Sequence, residues 1–121
     1  MLDWKTYQGE LLARIGDIGK LSPETLKGYR ALSAAGTQTG RLDGKTRELI
    51  ALAAAVTARC DGCIAVHADA AARHGASREE LAEALGVAVA IGAGAALVYS
   101  ARTLDAFEAN KAARQNEGAA Q

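Results

Sequence analysis

Apolar residues recur along this chain at intervals of three and four, and nowhere do they alternate over a run long enough for a strand. That is the periodicity of helix. Tyr7, Leu11, Ile15 and Ile18 follow it and predict a first helix over about Trp4 to Lys20, weakened near its end by Gly19. Ser22-Pro23-Glu24 then offers an N-cap hydroxyl, a proline where its missing N–H costs nothing, and an acid near the positive helix end. The second helix that starts there is expected to stop at Gly36, ahead of a Gly36 to Gly40 loop. Asp43 reads as the N-cap of a third helix to about Ala58. A turn over Thr57 to Asp61 and a fourth helix from about Cys60 to His74, closing on Gly75, follow. Ser77-Arg78-Glu79-Glu80 has the capping-box pattern and opens a helix to about Ile91. Gly92-Ala93-Gly94 is expected to break or kink it before a last helix from about Ala95 to Ala113, leaving 114–121 as a frayed polar tail.

The expectation is therefore an all-α fold, a single domain of about six helices over residues 1–113. Composition supports it: alanine supplies about a quarter of the chain and there is one proline. With 121 residues, half of them hydrophobic, the chain has enough apolar surface to fold. Fourteen basic residues against fourteen acidic ones leave no net field for nucleic acid or an anionic membrane, so neither partner is expected. The start Met-Leu-Asp-Trp-Lys-Thr carries early charge with no apolar run after it, and the only two cysteines stand three residues apart. Both point to a cytoplasmic setting rather than a secreted disulfide scaffold. Ala84 to Ala101 is uncharged and about long enough to span a bilayer, but its glycines and alanines favour a buried helix pair.

Chemistry concentrates in one segment. Cys60-Asp61-Gly62-Cys63 is followed by His67, and at 100° per residue the two sulfurs and the imidazole share one helix face. Glu48 lies on the preceding helix and comes level with His67 if the two helices form an antiparallel hairpin. A thiol at a helix N-terminus beside a base gains thiolate character, His67 can accept its proton, and Glu48 can orient the imidazole. A second thiol three residues away can capture an oxidised first one as a disulfide. Asp61 opposes this in part, because a neighbouring carboxylate raises a thiol pKa. A structural zinc would call for four ligands, with only Cys60, Cys63, His67 and Glu48 or Asp61 at hand, so no metal is expected. A c-type haem would need histidine where Ile64 stands, and a thioredoxin-like domain would need strands. His74 reads as a helix C-terminal cation, and Tyr7, Tyr29 and Tyr99 as core or interface.

The run Lys45-Thr46-Arg47-Glu48-Leu49-Ile50-Ala51-Leu52, with Cys60, Cys63 and His67 at their spacing, resembles the alkylhydroperoxidase D-like group of the carboxymuconolactone decarboxylase family. The resemblance covers about Gly36 to Phe107. It implies an all-α fold, a homo-oligomer (trimer or hexamer), and a hydroperoxide substrate. By it Cys63 is the peroxidatic thiol, Cys60 the resolving one, and His67 with Glu48 the proton relay. The cofactor is none beyond the Cys60/Cys63 redox-active disulfide, and the reductant an external dithiol or lipoyl-type protein. Gly62 stands where the best-known members carry a further histidine. Two other readings stay open: a decarboxylase-like enzyme acting on a small organic acid or lactone with His67 as base, and a redox-sensing oligomer without turnover.

Overall fold

The computed structural model describes residues 1–120, and among them every regular element is an α-helix. There are five: α1 Trp4–Leu21, α2 Pro23–Thr39, α3 Gly44–Ala58, α4 Asp61–Arg73 and α5 Arg78–Ala119. The chain divides into two compact units, Met1–Ala88 and the segment from Val89 onward, each described by itself.

In the first unit α3 and α4 form a hairpin, and α1 packs against both α2 and α4. Its buried core is built mainly of small residues: Leu52 and Ala55 on α3, Ala65 and Ala71 on α4, and Ala88 on the first part of α5. Alanine faces let helix backbones approach closely, which holds the α3–α4 register firmly. The polar stitches sit outside that seam. Lys5 reaches Asp69 at 2.7 Å from α1 to α4, Arg73 also pairs with Asp69, and Lys45 reaches Glu80 at 2.6 Å from α3 to α5.

The helix ends follow local chemistry. Asp3 and Asp43 cap α1 and α3 by accepting the N–H of Thr6 and of Thr46, which holds both carboxyls below their ordinary range. Ser77 and Glu80 form the expected capping box, each accepting the other's backbone N–H. Gly75 closes α4 at φ 77°. Ser22 does stand at the N-cap of α2, but its hydroxyl pairs with the Thr25 hydroxyl rather than with a backbone N–H.

Four expectations need correction. α2 does not stop at Gly36; it runs on to Thr39 and ends where Gly40 turns left-handed at φ 67°. Gly36 is compatible with helix, and only Gly40 takes the conformation that costs other residues energy. Gly92-Ala93-Gly94 neither breaks nor kinks the chain into two helices, so the count is five rather than about six. A helical glycine costs up to about 1 kcal/mol but keeps its N–H, so alanine-rich flanks carry the helix through. The buried pair expected over Ala84 to Ala101 is instead one helix, and beyond Ala88 it is exposed along its length. The stretch expected to fray from Arg114 is helical to Ala119; Gln121, the end of that tail, lies outside the described residues.

In the second unit, α5 carries a broad apolar surface. At 100° per residue, Val89, Leu97, Leu104 and Phe107 fall along one side and Ile91 and Val98 along another, with Ala90, Gly94 and Ala101 between. The large ones are all exposed, from 60% for Val98 to 73% for Leu97. Tyr29 and Tyr99, expected in a core or an interface, are likewise 62% and 64% exposed.

Candidate functional site

α3 ends in a turn that sets up everything after it. Arg59 takes the left-handed conformation at φ 55°, and the N–H of Cys60 reaches back to the Ala55 carbonyl at 3.0 Å. The chain thereby reverses at once, so Cys60 becomes the N-cap of α4. Its sulfur accepts the Cys63 N–H at 3.1 Å, doing what a serine or aspartate oxygen does elsewhere. Cys60 and Cys63 are joined by a disulfide. Asp61 is exposed in the first turn, where the helix dipole favours a carboxylate.

One turn later, His67 faces back toward α3. Its Nδ1 lies 2.7 Å from Oε2 of Glu48, a pair that is half-buried on both sides. The hairpin register brings together residues nineteen apart in sequence, as the antiparallel arrangement requires. With Glu48 accepting, Nδ1 carries the hydrogen of the neutral ring, so Nε2 is left as the acceptor that can take a proton. Cys60, Cys63 and His67 all line one cavity of about 430 Å³, whose opposite wall comes from α1 and α2. That wall includes Tyr7, Leu11 and Ile15, whose periodicity announced a helix with an apolar face but carried no sign of what the face would meet.

Cys60, Cys63 and His67 thus share one cavity, and Glu48 joins them through His67 across the hairpin: two sulfurs at a helix N-terminus, a histidine one turn on, and a carboxylate fixing that histidine. Chemically this can hold a thiolate, take up a proton and store two electrons as a disulfide. Among the described residues no group of three or more His, Cys, Asp or Glu side chains is arranged to hold a metal ion.

With this geometry in view, comparison with known proteins places the chain. Residues 23–106 match the carboxymuconolactone decarboxylase family. The chain belongs to that family. An uncharacterised protein of Haemophilus influenzae is 49% identical over 110 residues, covering 91% of this chain and 97% of the relative. The crystal structure of an apo carboxymuconolactone decarboxylase family protein from Legionella pneumophila superposes with a TM-score of 0.70 at 41% identity, covering 87% of this chain and 94% of that one. A protein of Methanobacterium thermoautotrophicum superposes at 0.63 with 34% identity, over 68% and 92% of the two chains. The family segment spans Glu48, both cysteines and His67, but begins after α1.

Proposed function

We propose that the protein is a thiol-dependent oxidoreductase of the alkylhydroperoxidase D-like type, reducing hydroperoxides through Cys60 and Cys63. The observation that carries this reading is the Glu48–His67 pair at 2.7 Å, one turn beyond a disulfide at a helix N-terminus. In the reduced enzyme, Cys63 gives up its proton to the His67–Glu48 relay, and its thiolate attacks the peroxide's terminal oxygen. The O–O bond breaks, sulfur gains the hydroxyl as a sulfenic acid, and the departing alkoxide takes a proton and leaves as an alcohol. The Cys60 sulfur then attacks Cys63, expelling water and forming the disulfide. An external dithiol, free or protein-borne, returns both sulfurs to thiols and closes the cycle in a cytoplasmic setting.

The active form in this proposal is a homo-oligomer. The exposed apolar surface of α5 supports it, since patches of that kind on water-soluble chains mark contact surfaces. The deciding experiment is hydroperoxide consumption under a supplied dithiol. Cys63→Ser should abolish it, and Cys60→Ser should leave a sulfenic acid on Cys63 that a dimedone-type reagent traps. Full turnover in Cys63→Ser overturns the proposal. The family match also supports a second reading, a decarboxylase-like reaction on a small organic acid or lactone with His67 as base. That activity would survive in a Cys60→Ser/Cys63→Ser double variant. A redox sensor, by contrast, would form the disulfide once and not cycle.

A further inference from the structure

The chemistry of the site lies on α3 and α4, yet what reaches the disulfide is decided by another element. Leu11 of α1 is seated directly over Gly62: a Cβ built on that glycine would come within 2.6 Å of Leu11 Cδ2. A side chain at 62 would have to shift the end of the Leu11 side chain, so the two positions are in direct contact. Beside Leu11, Tyr7 and Ile15 continue the wall one turn to either side, and Val66 faces them from α4. The cavity of about 430 Å³ they line is within the range of small-molecule sites, is open to solvent on one side, and has a mainly apolar lining in which Asp61 and His67 are the charged or ionisable side chains besides the tyrosines.

We propose that Leu11 is the specificity-determining residue of this site. With Tyr7 and Ile15 it forms an apolar wall along which the chain of a reaction partner lies, so the Cys60–Cys63 pair exchanges preferentially with molecules bearing an uncharged aliphatic chain. This deepens the reading of the pair as redox-active but needs no hydroperoxide activity. The wall is contributed from upstream of the segment that matches the family, so shared chemistry on α3 and α4 is compatible with a selectivity set separately by α1.

The test is thiol–disulfide exchange on the intact oxidised protein, with 1-butanethiol and 2-mercaptoethanol as probes. In each case a thiolate attacks one cysteine sulfur, the S–S bond breaks and the other cysteine leaves as a thiolate. A second probe thiolate then attacks the mixed disulfide, releasing the probe disulfide and leaving two cysteine thiols. Rates are normalised to those of the same probes with a free aliphatic disulfide, which removes intrinsic nucleophilicity. The expected preference for butanethiol is about tenfold in the native protein, equivalent to about 1.4 kcal/mol. Leu11→Gln, which keeps bulk but adds a polar group, should bring it below about threefold, as should Leu11→Ala. Gly62→Ala should also lower it by pushing Leu11 aside, and adding Leu11→Ala to Gly62→Ala should have less than the summed effect. Circular dichroism and thermal melts establish that each variant is folded. Equal normalised rates for the two probes, or a preference unchanged in the Leu11 variants, overturns the inference while leaving the redox pair standing. A disulfide that no thiol reduces overturns both.

Discussion

Substitution of Leu97 by glutamate tests the assembly reading where it is most exposed. Six large apolar side chains of α5, namely Val89, Ile91, Leu97, Val98, Leu104 and Phe107, each leave 60–73% of their surface in contact with solvent. Full burial of such a side chain is worth roughly 1.5–3 kcal/mol, so covering what remains exposed is worth about 1–2 kcal/mol apiece. Together they offer on the order of 10 kcal/mol per chain, comparable with the estimated cost of association. Leu97→Glu removes about 2 kcal/mol of that and places a carboxylate in the contact, at a further cost of a kcal/mol or more. A total near 3 kcal/mol weakens assembly by roughly a hundredfold. Sedimentation velocity or light scattering at micromolar concentration should give a multiple of 12.5 kDa for the native protein. The variant should shift toward the single-chain mass, and its melting temperature should depend on concentration less steeply than the native one's. A native protein of single-chain mass with a concentration-independent melt would refute the reasoning, and partition of that species into lipid vesicles would identify a bilayer as what covers α5.

Three further outcomes are expected. Glu48→Gln keeps the shape of the His67 contact but removes the charge that orients the ring and stabilises its cation, so peroxide turnover should fall by about 10²–10⁴-fold while dithiothreitol still reduces the disulfide. Leu52→Ala empties a position only 3% exposed in the α3–α4 core and should cost about 2–5 kcal/mol in denaturant titration. Glu80 is held below its ordinary 4.5 by the bond to Lys45 and then by the Ser77 N–H. The unfolded chain therefore protonates this carboxyl first, and the stability it supplies is present above that value and lost as pH falls through the lower folded one. Glu80→Gln should lower stability at neutral pH, with the gap to the native protein closing in melts taken below about pH 4.5.

The candidate cluster was legible in the sequence because its geometry is almost wholly local. Cys60, Cys63 and His67 are fixed by helix periodicity alone, and one short turn decides that Glu48 comes level with His67. The helix caps at Asp43 and at Ser77 with Glu80 were legible for the same reason, since each is a contact between residues three apart. Glycine was the misleading signal. Gly36, Gly92 and Gly94 are tolerated inside helices, whereas Gly40 and Gly75 adopt positive φ and end them, and composition does not separate the two cases. The wall formed by Tyr7, Leu11 and Ile15 depends on which face of α4 the first helix docks against, a tertiary choice that periodicity does not encode. Exposed Tyr29 and Tyr99 show the same limit, because an apolar stripe specifies that a face will be covered and not by what.

In the proposed cycle the sulfur that caps the start of α4 is also one of the two that change partners. Whenever Cys60 is tied to an outside thiol, its acceptance of the Cys63 N–H is strained or lost, and the first turn of α4 forfeits a cap worth about 1 kcal/mol. In that cycle redox chemistry and the folding of the turn are thermodynamically linked, a mixed disulfide at Cys60 loosening the turn that carries Cys63. Amide hydrogen exchange at Cys63 would then report which sulfur Cys60 is joined to, slow in the closed disulfide and faster while a partner is attached.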